Sequence, residues 1–194
     1  MKSLAVSAAV IMGLSSPALA QSVDIWTPCL APVASLEGVI AAFQAEGWAF
    51  PSSNDEHISN LQTASEPLLA LQNLPDVQTG AGFDRHIAAA HERAEQLLID
   101  AATLQRDGLI VAIEAYDNAG GMIRCTIAGN EFEEAAYAFD SGDETIRTIG
   151  GHEILLVPVS GMRADVTLYR LLPPADASAE ARATFAATLT RHGQ

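Results

Sequence analysis

The chain has 194 residues, 49% of them apolar, so it is long and hydrophobic enough to bury a core. Its 24 acids outnumber ten bases, for a formal net charge of −14, and its only lysine is Lys2. That balance disfavours nucleic acid and anionic lipid as partners through like-charge repulsion, and it leaves the body of the chain without a lysine nucleophile, Schiff-base lysine or phosphate-loop lysine.

Residues 1–20, MKSLAVSAAVIMGLSSPALA, read as a secretory signal peptide. Lys2 gives a positive start, Leu4 to Leu14 is an apolar run too short to span a bilayer, and Ala18-Leu19-Ala20 is an A-x-A cleavage signal. Cleavage between Ala20 and Gln21 would leave one α+β domain over residues 21–194, periplasmic or secreted, with no stable membrane anchor. Its 24 acids then face nine arginines, a net charge of −15, which suits solubility in an exposed compartment.

Cys29 and Cys125 are the only cysteines. Export favours a disulfide between them, and the absence of C-x-x-C spacing argues against a redox pair. Pro32 to Glu46 predicts a helix with Val33, Leu36, Ile40 and Phe43 on one stripe, stopped at Gly47. Ser53-Asn54-Asp55-Glu56 is a capping box for a second helix, broken at Pro67, with a further short helical turn over Leu68 to Leu74 and a loop from Leu74 to Gly82.

From Phe83 to Gln105 the apolar positions Phe83, Ile87, Ala90, Ala94, Leu97, Leu98 and Ala101 recur at three and four, which predicts one long helix ended by Asp107-Gly108. His86 and His91 fall on opposite shoulders of its stripe, five residues apart, and not at the i,i+4 spacing that lets two histidines of one helix share a metal. His91 and Glu95 do have that spacing but would need a third ligand from elsewhere.

The second half changes period. Leu109 to Tyr116 and Met122 to Ala128 predict a β-hairpin across the turn Asp117 to Gly121, with Cys125 on the apolar face and Glu114 poised to pair with Arg124 or Arg170. Asn130 to Glu133 caps a short helix carrying Ala135, Ala136, Tyr137 and Phe139. Three strands are expected at Glu144 to Thr148, Glu153 to Pro158 and Asp165 to Leu172, with a turn over Val159 to Ala164. After Pro173-Pro174, the alanine-rich run Ala177 to Leu189 predicts a C-terminal helix.

The expected fold is therefore α+β, with N-terminal helices, an antiparallel sheet of four to five strands in β-β-α-β-β-β order, and a C-terminal helix. This order is similar to that of profilin-like and PAS-like sensor domains, at the level of element order alone; no motif marks a family. No G-x-S-x-G, Walker A, G-x-G-x-x-G, H-E-x-x-H or EF-hand pattern is present. Asp140 to Glu144 gathers acids around a glycine without the calcium-loop order and reads as a solvated loop. No catalytic residue, metal ligand or cofactor is assigned; the polar candidates are His86, His91, Glu95 and His152. The expectation is a small exported, non-enzymatic binding or sensor-like domain for an unidentified small ligand or protein partner. Its rivals are an exported hydrolase using histidine and carboxylate chemistry, and an acidic periplasmic interaction or inhibitor protein.

Overall fold

The computed structural model describes residues 25–31, 35–68, 79–97, 100–116, 122–140, 146–149, 152–158 and 165–191. Helix α1 is described over 25–30 and is followed by α2 (Leu36–Ala45), α3 (Asn54–Leu68) and α4 (Gly80–Leu97). Three strands come next, β1 (Ala101–Arg106), β2 (Leu109–Tyr116) and β3 (Met122–Gly129), and then α5 (Glu133–Asp140). Four more strands complete the chain: β4 (Arg147–Ile149), β5 (His152–Pro158), β6 (Asp165–Leu171) and β7 (Phe185–Arg191).

All seven strands make one antiparallel sheet in the order β1-β2-β3-β7-β6-β5-β4. This overturns the expected sheet of four to five strands closed by a C-terminal helix, and with it the profilin-like and PAS-like order. Two segments account for the difference. The helical period continues past Leu97 on paper, but Ala101–Arg106 is β1, joined to β2 by the two-residue turn Asp107-Gly108. Both turn residues have positive φ, 50° and 77°, which is the demand that Asp-Gly meets in tight hairpins. At the other end, Ala177–Leu189 is not helical: residues 172–184 form an irregular strap, and Phe185–Arg191 is the central strand β7, between β3 and β6. Its small residues suit a strand covered on both faces, and Ala186, Ala187, Thr188 and Leu189 are all buried.

Period-2 alternation divides the sheet into two unlike faces. One carries Leu104, Val111, Ile113, Cys125, Ile127, Leu155, Val166, Leu168 and Leu189; it packs on Trp26 of α1, Val39 and Phe43 of α2, and Phe132, Ala135 and Phe139 at α5. The disulfide Cys29–Cys125 staples α1 to β3 inside this apolar layer, as expected from the cysteine count. The other face carries Glu114, Arg124, Thr126, Thr188 and Tyr169 among its small apolar residues, and α3 crosses it from β1 to β6 with α4 packed alongside. Leu61 and Ala64 of α3 and Ala94 of α4 meet Ala112 there, Ala128, Ile154, Tyr169, Ala183 and Ala186 form a second apolar cluster, and polar pairs lie between and beside them.

The helix ends follow local chemistry. Ser35 caps α2, its Oγ accepting from the Gly38 amide at 3.2 Å, so that helix starts later than the expected Pro32. Gly47 stops it at φ 86°. Ser53 caps α3 by accepting from the Glu56 amide, and the Glu56 carboxylate reaches back to Ser52. Pro67 sits in the last turn of α3 rather than breaking it. The expected signal peptide, the turn at 69–74, most of the 140–144 loop and the 117–121 turn lie outside the described residues.

Candidate functional site

Two of the four polar candidates, His86 and His91, bond to one residue that the sequence did not single out, Glu66, and a third, His152, joins them through the ring of His86. Glu66 lies in the last turn of α3 and is 0% exposed. Its backbone carbonyl accepts from Nε2 of His86 at 2.9 Å. A carbonyl has no proton to give, so His86 holds its proton on Nε2. One carboxylate oxygen accepts from Nε2 of His91 at 3.1 Å, and the other accepts from the Arg182 amide in the strap at 2.8 Å. The two histidines are about 140° apart around α4, at about 100° per residue. The end of α3 lies between them, so one reaches the backbone of Glu66 and the other its side chain. Glu95, also on α4, is exposed and takes no part.

His152 opens β5, and its ring meets that of His86 edge-on, with centroids 4.7 Å apart and planes at 63°. Phe83 stacks on the far side of His86 at 6.2 Å. Among the described residues, neither nitrogen of His152 nor Nδ1 of His86 has a hydrogen-bond partner of good geometry, although the Glu66 backbone lies close enough to His152 to oppose the fall in its pKa, and the two histidines are essentially inaccessible, at 1% and 0% exposure. Burial accordingly lowers the pKa of His86 below the usual imidazole range. Burial, reinforced by the nearby His86, pushes His152 down to about 3. Burial acts on Glu66 in the opposite direction and raises its carboxyl, while its bonds to His91 and the Arg182 amide pull it back. His152 and its neighbour Glu153 face opposite sides of the strand, and Glu153 binds Arg170. Among the described residues, no group of three or more His, Cys, Asp or Glu is placed to hold a metal ion.

A second polar network lies on the same face. Arg124, directly across the hairpin from Glu114, grips its carboxylate through Nε at 2.6 Å and a terminal nitrogen at 2.8 Å. The Tyr116 hydroxyl donates to Glu114 at 2.7 Å, and Arg93 of α4 approaches to 4.0 Å. Burial, then the carboxylate of Glu114, raises the Tyr116 phenol to about 12. All hands of Glu114 are engaged within the fold, with Arg124 and not Arg170 as its partner, so this network joins α4 to the sheet.

The strap, residues 172–184, is held in large part by side chains accepting from backbone amides. Asp84 of α4 accepts from Ser178 at 2.9 Å and Ala179 at 2.8 Å, and also from the Ser178 hydroxyl. Those bonds, the hydroxyl's first, lower the Asp84 pKa. Asp176 accepts from the Gly80 amide at 3.0 Å, and Asn130 accepts from Thr184 at 2.9 Å. Alternate alanines 177, 179 and 181 rest on Phe83 and Ile87. Between the strap and the end of β6 runs an open groove of about 400 Å³ lined by Leu171, Pro173, Pro174, Ala177, Ala179, Ala181, Glu180 and Thr184. Glu180 is the one charged residue among the described residues that line it.

No protein-family model matches the chain, and no curated protein or solved structure matches it.

Sequence reasoning missed Glu66 because the search followed histidine spacing within one helix. Little in the sequence marked it, since the stretch Leu61 to Leu69, LQTASEPLL, mixes polar and apolar residues, and the burial of Glu66 comes from how α4 and the strap cover the end of α3. The groove could not be foreseen once the strap was read as a helix.

Proposed function

We propose that the chain is an exported, non-enzymatic binding domain that holds a small apolar molecule bearing a positive charge in the groove beneath the strap. The observation that carries this reading is the groove itself: about 400 Å³ and open to solvent, with exposed polar atoms between the side chains of proline, leucine and alanine and, among the described residues, one carboxylate, Glu180. Both faces of the sheet are covered by helices, so the groove is favoured over the sheet as the ligand's seat. A net charge of −14 enriches cations at the surface and repels anions. The disulfide supports residence in an oxidising compartment, and the sealed histidines support binding over turnover, because no substrate atom could reach His86 or His152 in the closed fold.

Chemical-shift titration with benzylamine, benzyl alcohol and benzoate tests it. The amine should produce saturable shifts at Leu171, Ala179 and Thr184, the alcohol weaker ones and benzoate none. Glu180→Gln should weaken the amine by about two- to fivefold, the range of an exposed ion pair. Equal binding of benzoate, or shifts away from the groove, would overturn the reading. Export is checked separately, by a periplasmic or secreted product that begins at Gln21.

One observation favours a hydrolase instead: Glu66 holds Nε2 of the partly exposed His91, as a carboxylate orients a histidine base. Turnover that is lost in His91→Ala while the fold is kept would select that reading.

A further inference from the structure

We propose that the Glu66–His86–His91–His152 cluster is an acid-opened latch, which releases α3, α4 and the strap from the sheet while the disulfide-stapled layer on the opposite face stays folded.

The two faces are held by different chemistry. The layer built on α1, α2 and α5 is apolar, shielded from protons, and covalently tied through Cys29–Cys125. The layer built on α3, α4 and the strap has only small apolar clusters and adds to them a set of acceptors: Glu66 for His91 and Arg182, Asp84 for Ser178 and Ala179, Asp176 for Gly80. At its centre two imidazoles stand 4.7 Å apart in a sealed site. One proton there would be buried beside a neighbour that cannot also be charged, and a carbonyl already committed to His86 gives little relief. Opening the layer hydrates both rings and lets both ionise.

Titratable and charged groups approach the pair from every element packed against it. Glu66 comes from α3, and its own charge is taken up by His91 and the Arg182 amide. From α4 come His91 and, at the strap, Asp84; from the strap come Arg182, with its guanidinium on Ser59, and the exposed Glu180. On the His152 side of the sheet, β6 contributes Tyr169 and β4 the exposed Arg147, while Glu153 and Arg170 lie on the other face. The carboxylates of Glu66 and Asp84 are already engaged, and Glu180 stands exposed in solvent rather than against either ring. For each ring, the ratio of closed to open forms therefore drops up to about tenfold for every pH unit below its ordinary value near 6.5. The inference goes beyond the binding reading; one consequence rests on it, that opening dismantles the groove and discharges its occupant.

Hydrogen exchange by mass spectrometry on the oxidised full chain at pH 7 and pH 5, corrected for intrinsic rates, tests the latch without any ligand. Protection should fall by tenfold or more in peptides from 54–68, 80–97 and 171–184, and hold in β2 and β3. Trp26 and Trp48, both in the apolar layer, should keep their buried emission over the same range. His152→Leu, which leaves His86 as the one sealed imidazole, should lose clearly less protection of 80–97 at pH 5 than the parent chain. If that variant does not fold, His86→Asn, which keeps a donor toward the Glu66 carbonyl, takes its place. Uniform loss of protection across both layers, no loss at pH 5, or the same acid loss in the variant would overturn the proposal. Failure of amine binding alone would touch only the groove.

Discussion

At the scale of the residue, two positions carry consequences out of proportion to their size. Gly80 begins α4 where the strap crosses it, and a Cβ there would stand 2.1 Å from the Asp176 carbonyl oxygen and 2.7 Å from the Ala177 nitrogen. Backbone cannot retreat as a flexible side chain can, so Gly80→Ala should destabilise by about 1–3 kcal/mol, the range of an overpacked site. Thermal unfolding checks this, and an unchanged midpoint would show that the strap is not seated on α4. Glu66 accepts from two donors at once. Glu66→Gln keeps one oxygen for them, whereas Glu66→Ala strands both and should cost about 1–3 kcal/mol more by urea titration. Equal behaviour of the two variants would mean that the carboxylate is not the acceptor described.

At the scale of the element, legibility followed the strength of local punctuation. The hairpin of β2 and β3, helix α5, and strands β5 and β6 are where their period and capping residues place them. The cross-strand pair Glu114–Arg124 was one of the two expected. Errors arose where periodicity was followed across a turn. Asp107-Gly108 looks like a helix stop from one side and like a hairpin from the other; the β-branched run that follows it was the deciding sign. In β7 the alanines that suggest a helix are small because both faces of a central strand are crowded, a fact of tertiary packing rather than of propensity. The candidate histidines were visible, but their meeting point on Glu66 depends on how α3, α4 and β5 come together. The turn itself makes a prediction. A Cβ on Gly108 meets nothing within 4 Å, yet its φ is 77°, so Gly108→Ala should cost only the left-handed backbone term, about 1–2 kcal/mol. A neutral result in urea unfolding would contradict the turn geometry.

At the scale of the whole molecule, a seven-stranded sheet separates an apolar, covalently stapled layer from a polar, proton-sensitive one. The staple closes a separation of 96 residues, so reduction should lower stability by about 2–4 kcal/mol through chain entropy, as read from urea midpoints with and without reductant. The pH dependence follows from the sign of each shift. His86 and His152 have lowered folded-state pKa values, so the unfolded chain binds more protons once the pH drops below about 6.5, and the folded state loses ground from there down to about 3, the value for His152. Glu66 is shifted upward: its contribution is fully present only below its unfolded value and is lost as the pH rises through the folded one, so it opposes the histidines. With two imidazoles against one carboxyl, net stability should fall between about pH 6.5 and 5. The most direct test is a titration of ¹³C- and ¹⁵N-labelled imidazoles by NMR in the folded, oxidised chain. The sealed cluster predicts that His152 stays neutral down to pH 5 in every molecule that remains closed, with the His86 proton on Nε2. Titration of either ring near 6.5 without opening of the fold would show that solvent reaches the pair, and the account of a sealed, acid-sensitive layer would be wrong.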